Sequence, residues 1–158
     1  YKPIAVMHFA ALSQVGESMD VPGKYWRNNV LGSLCLIEAA VAANCKKFVF
    51  SSTCATYGEQ DNVLLDENTP QAPINAYGAS KQSIEEMLEH FGASNGLNHV
   101  IFRYFNVAGA DPDGEVGEFH RPETHLVPLM LDAIEGKRDA LTIFGTDYDT
   151  PDGTCIRD

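Results

Sequence analysis

Three short apolar runs, residues 4–10 (IAVMHFA), 47–52 (KFVFSS) and 99–105 (HVIFRYF), are separated by two stretches whose apolar residues recur at helical intervals. Near-continuous apolar runs of this length are the signature of strands covered on both faces. Between the first two runs, Tyr25, Val30, Leu34, Ile37 and Val41 predict a helix over residues 24–43, with Asn44 as its stop. Between the second and third, Tyr77, Lys81, Ile84, Met87, Leu88 and Phe91 predict a helix over 76–94, ending near Gly92 or Gly96. Strand, helix, strand, helix, strand reads as right-handed crossovers in a parallel sheet, an α/β fold of the doubly wound class. Residues 12–23, punctuated by Gly16, Pro22 and Gly23, read as loop. Residues 53–73 read as a long loop, and a connection of that length inside a compact domain is usually functional.

The texture changes after Asn106. Glycine, proline and charge dominate residues 109–123, a short helix is predicted over 126–135, and the strand-like LTIF follows at 141–144. This divides the chain into a sheet-forming part, 1–108, and a smaller, incomplete unit, 109–158.

Composition narrows the function classes. At 158 residues and 44% hydrophobic content the chain can bury a real core. No apolar run approaches a membrane span, and residues 1–3 lead straight into a strand-like run rather than a signal peptide. A formal net charge of -11 lacks the basic footprint of a nucleic-acid binder. An anionic small ligand stays compatible, since a few groups in a cleft can bind it against the overall charge. Cys35, Cys45, Cys54 and Cys155 form no Cys-x-x-Cys and no His-Cys cluster, so reduced thiols in a cytoplasmic protein are expected and a structural metal is not.

In an open parallel sheet, ligands sit beyond the carboxyl ends of the strands. All three apolar runs end in small or polar groups: Ala10-Ala11-Leu12-Ser13, Ser51-Ser52-Thr53 and Asn106. The helix that follows the second run opens on Tyr77-Gly78-Ala79-Ser80-Lys81. Tyr77 and Lys81, four apart, share a helix face. A phenol needs about 4 kcal/mol of help to ionise near neutrality. An ammonium roughly 4 Å away, at an effective dielectric near 20, supplies that amount. The pair is therefore a candidate base for an alcohol proton. With six tyrosines in the chain, the spacing alone is weak, and a solvated helix face would show the same letters. His8, inside an apolar strand, reads as a satisfied core histidine. No Gly-x-Gly-x-x-Gly occurs among the thirteen glycines. Either the protein is not a dinucleotide binder, or the strand-turn that carries such glycines lies outside this sequence.

Several stretches together resemble the extended short-chain dehydrogenase/reductases, and among them the epimerases of UDP-sugars. They are His8-Phe9-Ala10-Ala11-Leu12 with Val15-Gly16-Glu17-Ser18, Asn28-Asn29-Val30, Phe50-Ser51-Ser52-Thr53 with Tyr57-Gly58, and Tyr77 to Lys81. Downstream they are Arg103-Tyr104-Phe105-Asn106-Val107-Ala108-Gly109 and Gly145-Thr146-Asp147-Tyr148 through Arg157-Asp158. The resemblance covers essentially the whole chain. It implies a Rossmann-like domain lacking its first strands, joined to part of a substrate domain, in an excerpt of a longer protein.

The resemblance also implies a chemistry: NAD-dependent interconversion of UDP-glucose and UDP-galactose at C4 through a 4-keto sugar. Tyr77, Lys81 and Thr53 match the catalytic residues, with Thr53 standing where serine is commoner. Phe9, Ala10, Ala11, Leu12, Ser13, Asn28 and Phe105 match the cofactor lining, although Ser13 replaces the lysine of some members. Asn106, His125, Leu126, Thr142, Phe144 and Arg157 match the nucleotide-sugar pocket, with His125 in place of an asparagine. A homodimer through the two long helices is implied as well. Sugar-nucleotide dehydratases of this scaffold carry an Asp-Glu pair where Cys54 and Ala55 stand, and neither can protonate a leaving hydroxyl. A 4-epimerase of another UDP-sugar and a non-catalytic NAD-binding relative stay open.

Overall fold

The computed structural model describes residues 2–60, 64–143 and 145–155. The chain divides into two compact units, one through Phe105 and one from Asn106 on. The first holds a three-stranded parallel sheet of order β1 (Val6–His8), β2 (Lys47–Thr53), β3 (Asn98–Tyr104). β2 is central, with Phe50 level with His8 on one side and Ile101 on the other. The parallel α/β class expected from the apolar runs is the one the chain adopts.

The connections between parallel strands are helical, as parallel pairing requires. After β1, α1 (Val15–Asp20) is followed by a continuous helical run: α2 (Pro22–Tyr25), a π-helical segment (Trp26–Leu31) and α3 (Gly32–Ala42). After β2 come a 3-10 turn (Cys54–Thr56), a loop and α4 (Ala76–Asn95). Asn75 starts α4 by accepting from the Gly78 amide at 2.8 Å, and Gly96, in the left-handed region at φ 64°, ends it.

The core lies on one face of the sheet. Phe48 and Phe50 of β2 pack with Ile37 and Ala40 of α3 and with Ile84 and Leu88 of α4. Val6 and Ile101 flank them from the outer strands. Burial on both faces, expected of each strand, holds for this face alone: Met7, Val100 and Phe102 are exposed on the other, 64% in the case of Met7. Both α3 and α4 join the same cluster, so within this chain they cover the same side.

Two local expectations fail. Part of residues 12–23 is helical rather than loop, because α1 is held by tertiary contacts. Tyr25 donates its hydroxyl to the Gln14 carbonyl at 2.7 Å and to Glu17 at 2.9 Å. Residues 141–143 form no strand, since no ladder partner meets them among the described residues. In the second unit the regular element is α5 (Leu126–Ile134), which His125 precedes in extended conformation. Among the described residues, no helix is long and apolar enough to cross a membrane.

Candidate active site

The carboxyl end of β2 and the first turns of α4 form the site. Gly78 allows their approach, because a Cβ there would stand 2.4 Å from the Ala55 carbonyl oxygen. Gly58, at φ +70°, likewise passes close to the Ala72 carbonyl, where a Cβ would stand at 1.9 Å. From α1, buried Ser18 accepts the Tyr77 amide at 3.1 Å, securing the helix start from the other side.

Tyr77 is half-buried, with the Thr53 side chain beside its phenol. Thr53 also accepts the Ala55 amide at 3.1 Å, which orients its hydroxyl by capping the 3-10 turn. Burial pushes the Tyr77 phenol above its ordinary value, the Thr53 side chain pulls it back, and the Cys54 thiol adds a smaller upward push. The arithmetic based on a nearby ammonium expected the opposite sign. The reason for the difference is placement. The Lys81 Nζ lies 6.0 Å from the Tyr77 ring centroid and 4.8 Å from that of Phe50, and donates to the Ser51 carbonyl at 2.8 Å. Lys81 is itself only 2% exposed, and burial lowers its pKa to about 8 while Glu85 opposes that shift.

The segment expected to line a cofactor, Phe9 to Ser13, runs on from the carboxyl end of β1. It is pinned by Asn29, which lies in the π-helical segment and is 1% exposed. Asn29 accepts the Leu12 amide at 2.9 Å, donates to the Leu12 carbonyl at 3.0 Å and donates to Ser80 at 3.2 Å. Its neighbour Asn28, singled out from the sequence, is exposed and donates to Asn29 at 3.0 Å. His8 is half-buried at the end of β1: it meets the Ser33 hydroxyl at 2.8 Å and stacks on Phe50.

Behind the site lies a buried charge network. Glu85, one turn beyond Lys81, accepts from the Ser52 hydroxyl, from Gln71 at 3.0 Å and from Arg103 through both Nε and Nη2. Arg103 also donates to the Tyr57 hydroxyl at 3.1 Å, and Tyr57 donates to the Asp66 carbonyl at 2.9 Å. The sequence assigns no positioning role to Ser18 or Glu85, and marks Asn29 only as one of a polar pair with Asn28. Polar residues recurring at buried helical positions were their one visible signal.

Phe105, at the end of β3, faces Tyr57 with ring centroids 6.4 Å apart. A cleft of about 570 Å³ beside it is lined by Tyr57, Leu65, Asp66, Arg103 and others, and does not include Thr53, Tyr77 or Lys81. In the second unit, His125, Leu126 and Thr142 are exposed, and Asn106 belongs to this unit too. Phe144 and Arg157 lie outside the described residues.

The parallel sheet, with Thr53, Tyr77 and buried Lys81 at its strand ends, is of the Rossmann-like α/β class. The chain belongs to the NAD dependent epimerase/dehydratase family, which it matches over residues 1–158. It is 55% identical over its whole length to a UDP-glucose 4-epimerase of Rhizobium meliloti, covering 48% of that protein. Its fold is similar to the crystal structure of the Brucella ovis UDP-glucose 4-epimerase in complex with NAD: TM-score 0.91, 49% identity, covering 98% of this chain and 48% of that one. It is also similar to the UDP-Glc/GlcNAc 4-epimerase of Campylobacter jejuni: TM-score 0.74, 46% identity, covering 98% of this chain and 47% of that one. The chain thus spans about half the length of the relatives it matches.

Proposed function

We propose that the protein carrying this chain is an NAD-dependent isomerase that interconverts UDP-glucose and UDP-galactose by inverting C4. The observation that carries the reading is the Tyr77 phenol, beside Thr53 and standing on the same helix face as the buried ammonium of Lys81. The donor set suits the cofactor. Lys81 carries three N–H groups and gives one to the Ser51 carbonyl, so it can hold the hydroxyls of a ribose. Phe9 to Ser13, pinned by Asn29, lies at the adjacent strand end, with Asn28 and Phe105 as further lining.

Bound NAD+ supplies the acceptor for the C4 hydride and a positive charge near the phenol. Tyr77 takes the proton of the sugar 4-hydroxyl, and Thr53 holds the same oxygen and relays that proton. Loss of hydride and proton leaves a 4-keto sugar. Once the keto sugar has presented its other face, Tyr77 would return the proton to the same oxygen. Because burial raises the phenol, Thr53 and the charge of the bound cofactor must bring it into the working range.

Asn106, His125, Leu126, Thr142, Phe144 and Arg157 are proposed to hold the nucleotide and its diphosphate. The forked donors of Arg157 suit the diphosphate. A second reading, a wider substrate range that includes N-acetylated sugars, is favoured by the likeness to the Campylobacter enzyme. A homodimer through the outward faces of the Pro22–Ala42 run and α4, and a cytoplasmic location, complete the proposal. Conversion of UDP-galactose by the purified full-length protein, lost in Tyr77→Phe, tests the reading. NAD binding without turnover would identify a non-catalytic relative instead.

A further inference from the structure

In the second unit, ahead of α5, the loop folds back so that Glu118, His120 and His125 bring one donor atom each within 4.8 Å of one another. The Glu118 Oε1 is 3.2 Å from Nδ1 of His125 and 3.7 Å from Nδ1 of His120. The two imidazoles stand edge to face with centroids 5.0 Å apart. All three residues are exposed, so water and ions reach them.

We propose that Glu118, His120 and His125 form a binding site for a borderline divalent cation of the zinc, cobalt or nickel class. Ligands held at zinc's bond length to nitrogen and oxygen in a tetrahedron stand about 3.3 Å apart. Two of the three edges here bracket that spacing, and the third is within 4.8 Å. Two imidazoles with one carboxylate suit these ions and not magnesium or calcium, which take oxygen ligands. Three protein ligands leave a fourth position for water.

Glu123 fixes the backbone beside the site. Its Oε1 accepts the backbone amides of Thr124 and His125, each at 2.8 Å, and lies 2.9 Å from His125 Nδ1. With a cation on Nδ1, the His125 proton resides on Nε2, while the Glu123 carboxylate stays anchored by its two amides. The start of α5 is the positive end of a helix dipole, which opposes a cation. Two carboxylates beside it and a formal net charge of -11 outweigh that end effect. The cysteine spacing gave no reason to expect a metal, because the donors are histidine and glutamate and only the folded loop gathers them. The site stands on its own geometry, whether or not His125 also meets a nucleotide.

The test is titration of the full-length, metal-stripped protein with Zn2+ by calorimetry, and with Co2+ by visible absorption. One equivalent of Zn2+ should bind, and Co2+ should give the intense spectrum of a tetrahedral nitrogen–oxygen site. His120→Ala and Glu118→Gln, both exposed, should each weaken binding at least tenfold while circular dichroism stays unchanged. Binding that is absent in the parent protein, or equally tight in both variants, would overturn the proposal. Should one variant fail to fold, the other gives the same readout.

Discussion

Lys81 and Glu85 stand one turn apart on α4, and each ties that helix to a different residue of β2. Lys81 donates to the Ser51 carbonyl at 2.8 Å, and Glu85 accepts from the Ser52 hydroxyl. Two consecutive residues are thereby fixed just before Thr53, whose hydroxyl meets the Tyr77 phenol one turn before Lys81. The separation of the Thr53 and Tyr77 hydroxyls is set by this double attachment rather than by either loop.

Removing the Tyr77 hydroxyl leaves the ring packed edge to face against Tyr25, at 6.5 Å between centroids. Tyr77→Phe in the full-length protein should lower turnover by about three orders of magnitude or more, with an unchanged circular dichroism spectrum. Thr53→Ser should keep substantial activity and Thr53→Val should not. Steady-state assays with UDP-galactose check all three.

Glu85 is buried and its pair with Arg103, at 2.8 Å, has side-chain exposures of 4% and 20%. Breaking one partner of such a pair leaves an uncompensated charge, at a cost of about 3 kcal/mol. Glu85→Ala should lose that much in urea unfolding. It should also make residues 64–71 more protease-sensitive, because Gln71 loses its partner and Arg103 its anchor.

Asn29→Ala leaves both backbone groups of Leu12 without their partner, a loss of about 2 kcal/mol. NAD affinity of the full-length protein, measured by calorimetry, should fall with it as Phe9 to Ser13 lose their anchor. Asn28→Ala, at an exposed position, should change stability by no more than about 0.5 kcal/mol.

Gly78→Ala would place a Cβ 2.4 Å from the Ala55 carbonyl oxygen and 3.1 Å from the Pro73 Cβ. The helix start must move, costing about 3 kcal/mol and most of the activity. Gly16→Ala meets no atom within 4 Å and should gain about 0.5 kcal/mol from its helical position. Thermal unfolding of the pair separates steric clash from helix propensity.

Lys81 has a pKa of about 8 in the fold, against 10.5 for an unperturbed lysine side chain. A base with a depressed native pKa penalises the fold fully below about pH 8, where it is charged in both states, and not at all above its unfolded value. Stability relative to Lys81→Met should therefore rise between about pH 8 and pH 10.5, by about 3 kcal/mol in all. Urea unfolding of both proteins across that interval reads it directly, and a flat difference would count against the burial of the charge.

The legible parts of this protein were those written at short range. The short apolar run Phe48-Val49-Phe50 marks β2, and Tyr77, Lys81, Ile84 and Leu88 mark one face of α4 by their spacing alone. α1 escaped because Gly16, Pro22 and Gly23 speak for a loop, while Tyr25 and Ser18 hold the helix through the tertiary contacts described above. Residues 141–143 misled in the other direction, since strand-like composition makes no strand without a partner to complete its ladder.

From the sequence alone came the parallel α/β class, the placement of the tyrosine and lysine on one helix face, and their position beyond a strand end. Tertiary structure alone chose Asn29 over Asn28 as the clamp, turned the Lys81 ammonium toward Ser51, and reversed the expected shift of the Tyr77 phenol. The first two depend on partners 51 and 30 residues apart, Asn29–Ser80 and Lys81–Ser51, and the third on burial. Periodicity reports which face a residue occupies within a turn or two; only packing decides what that face meets and how much water it loses.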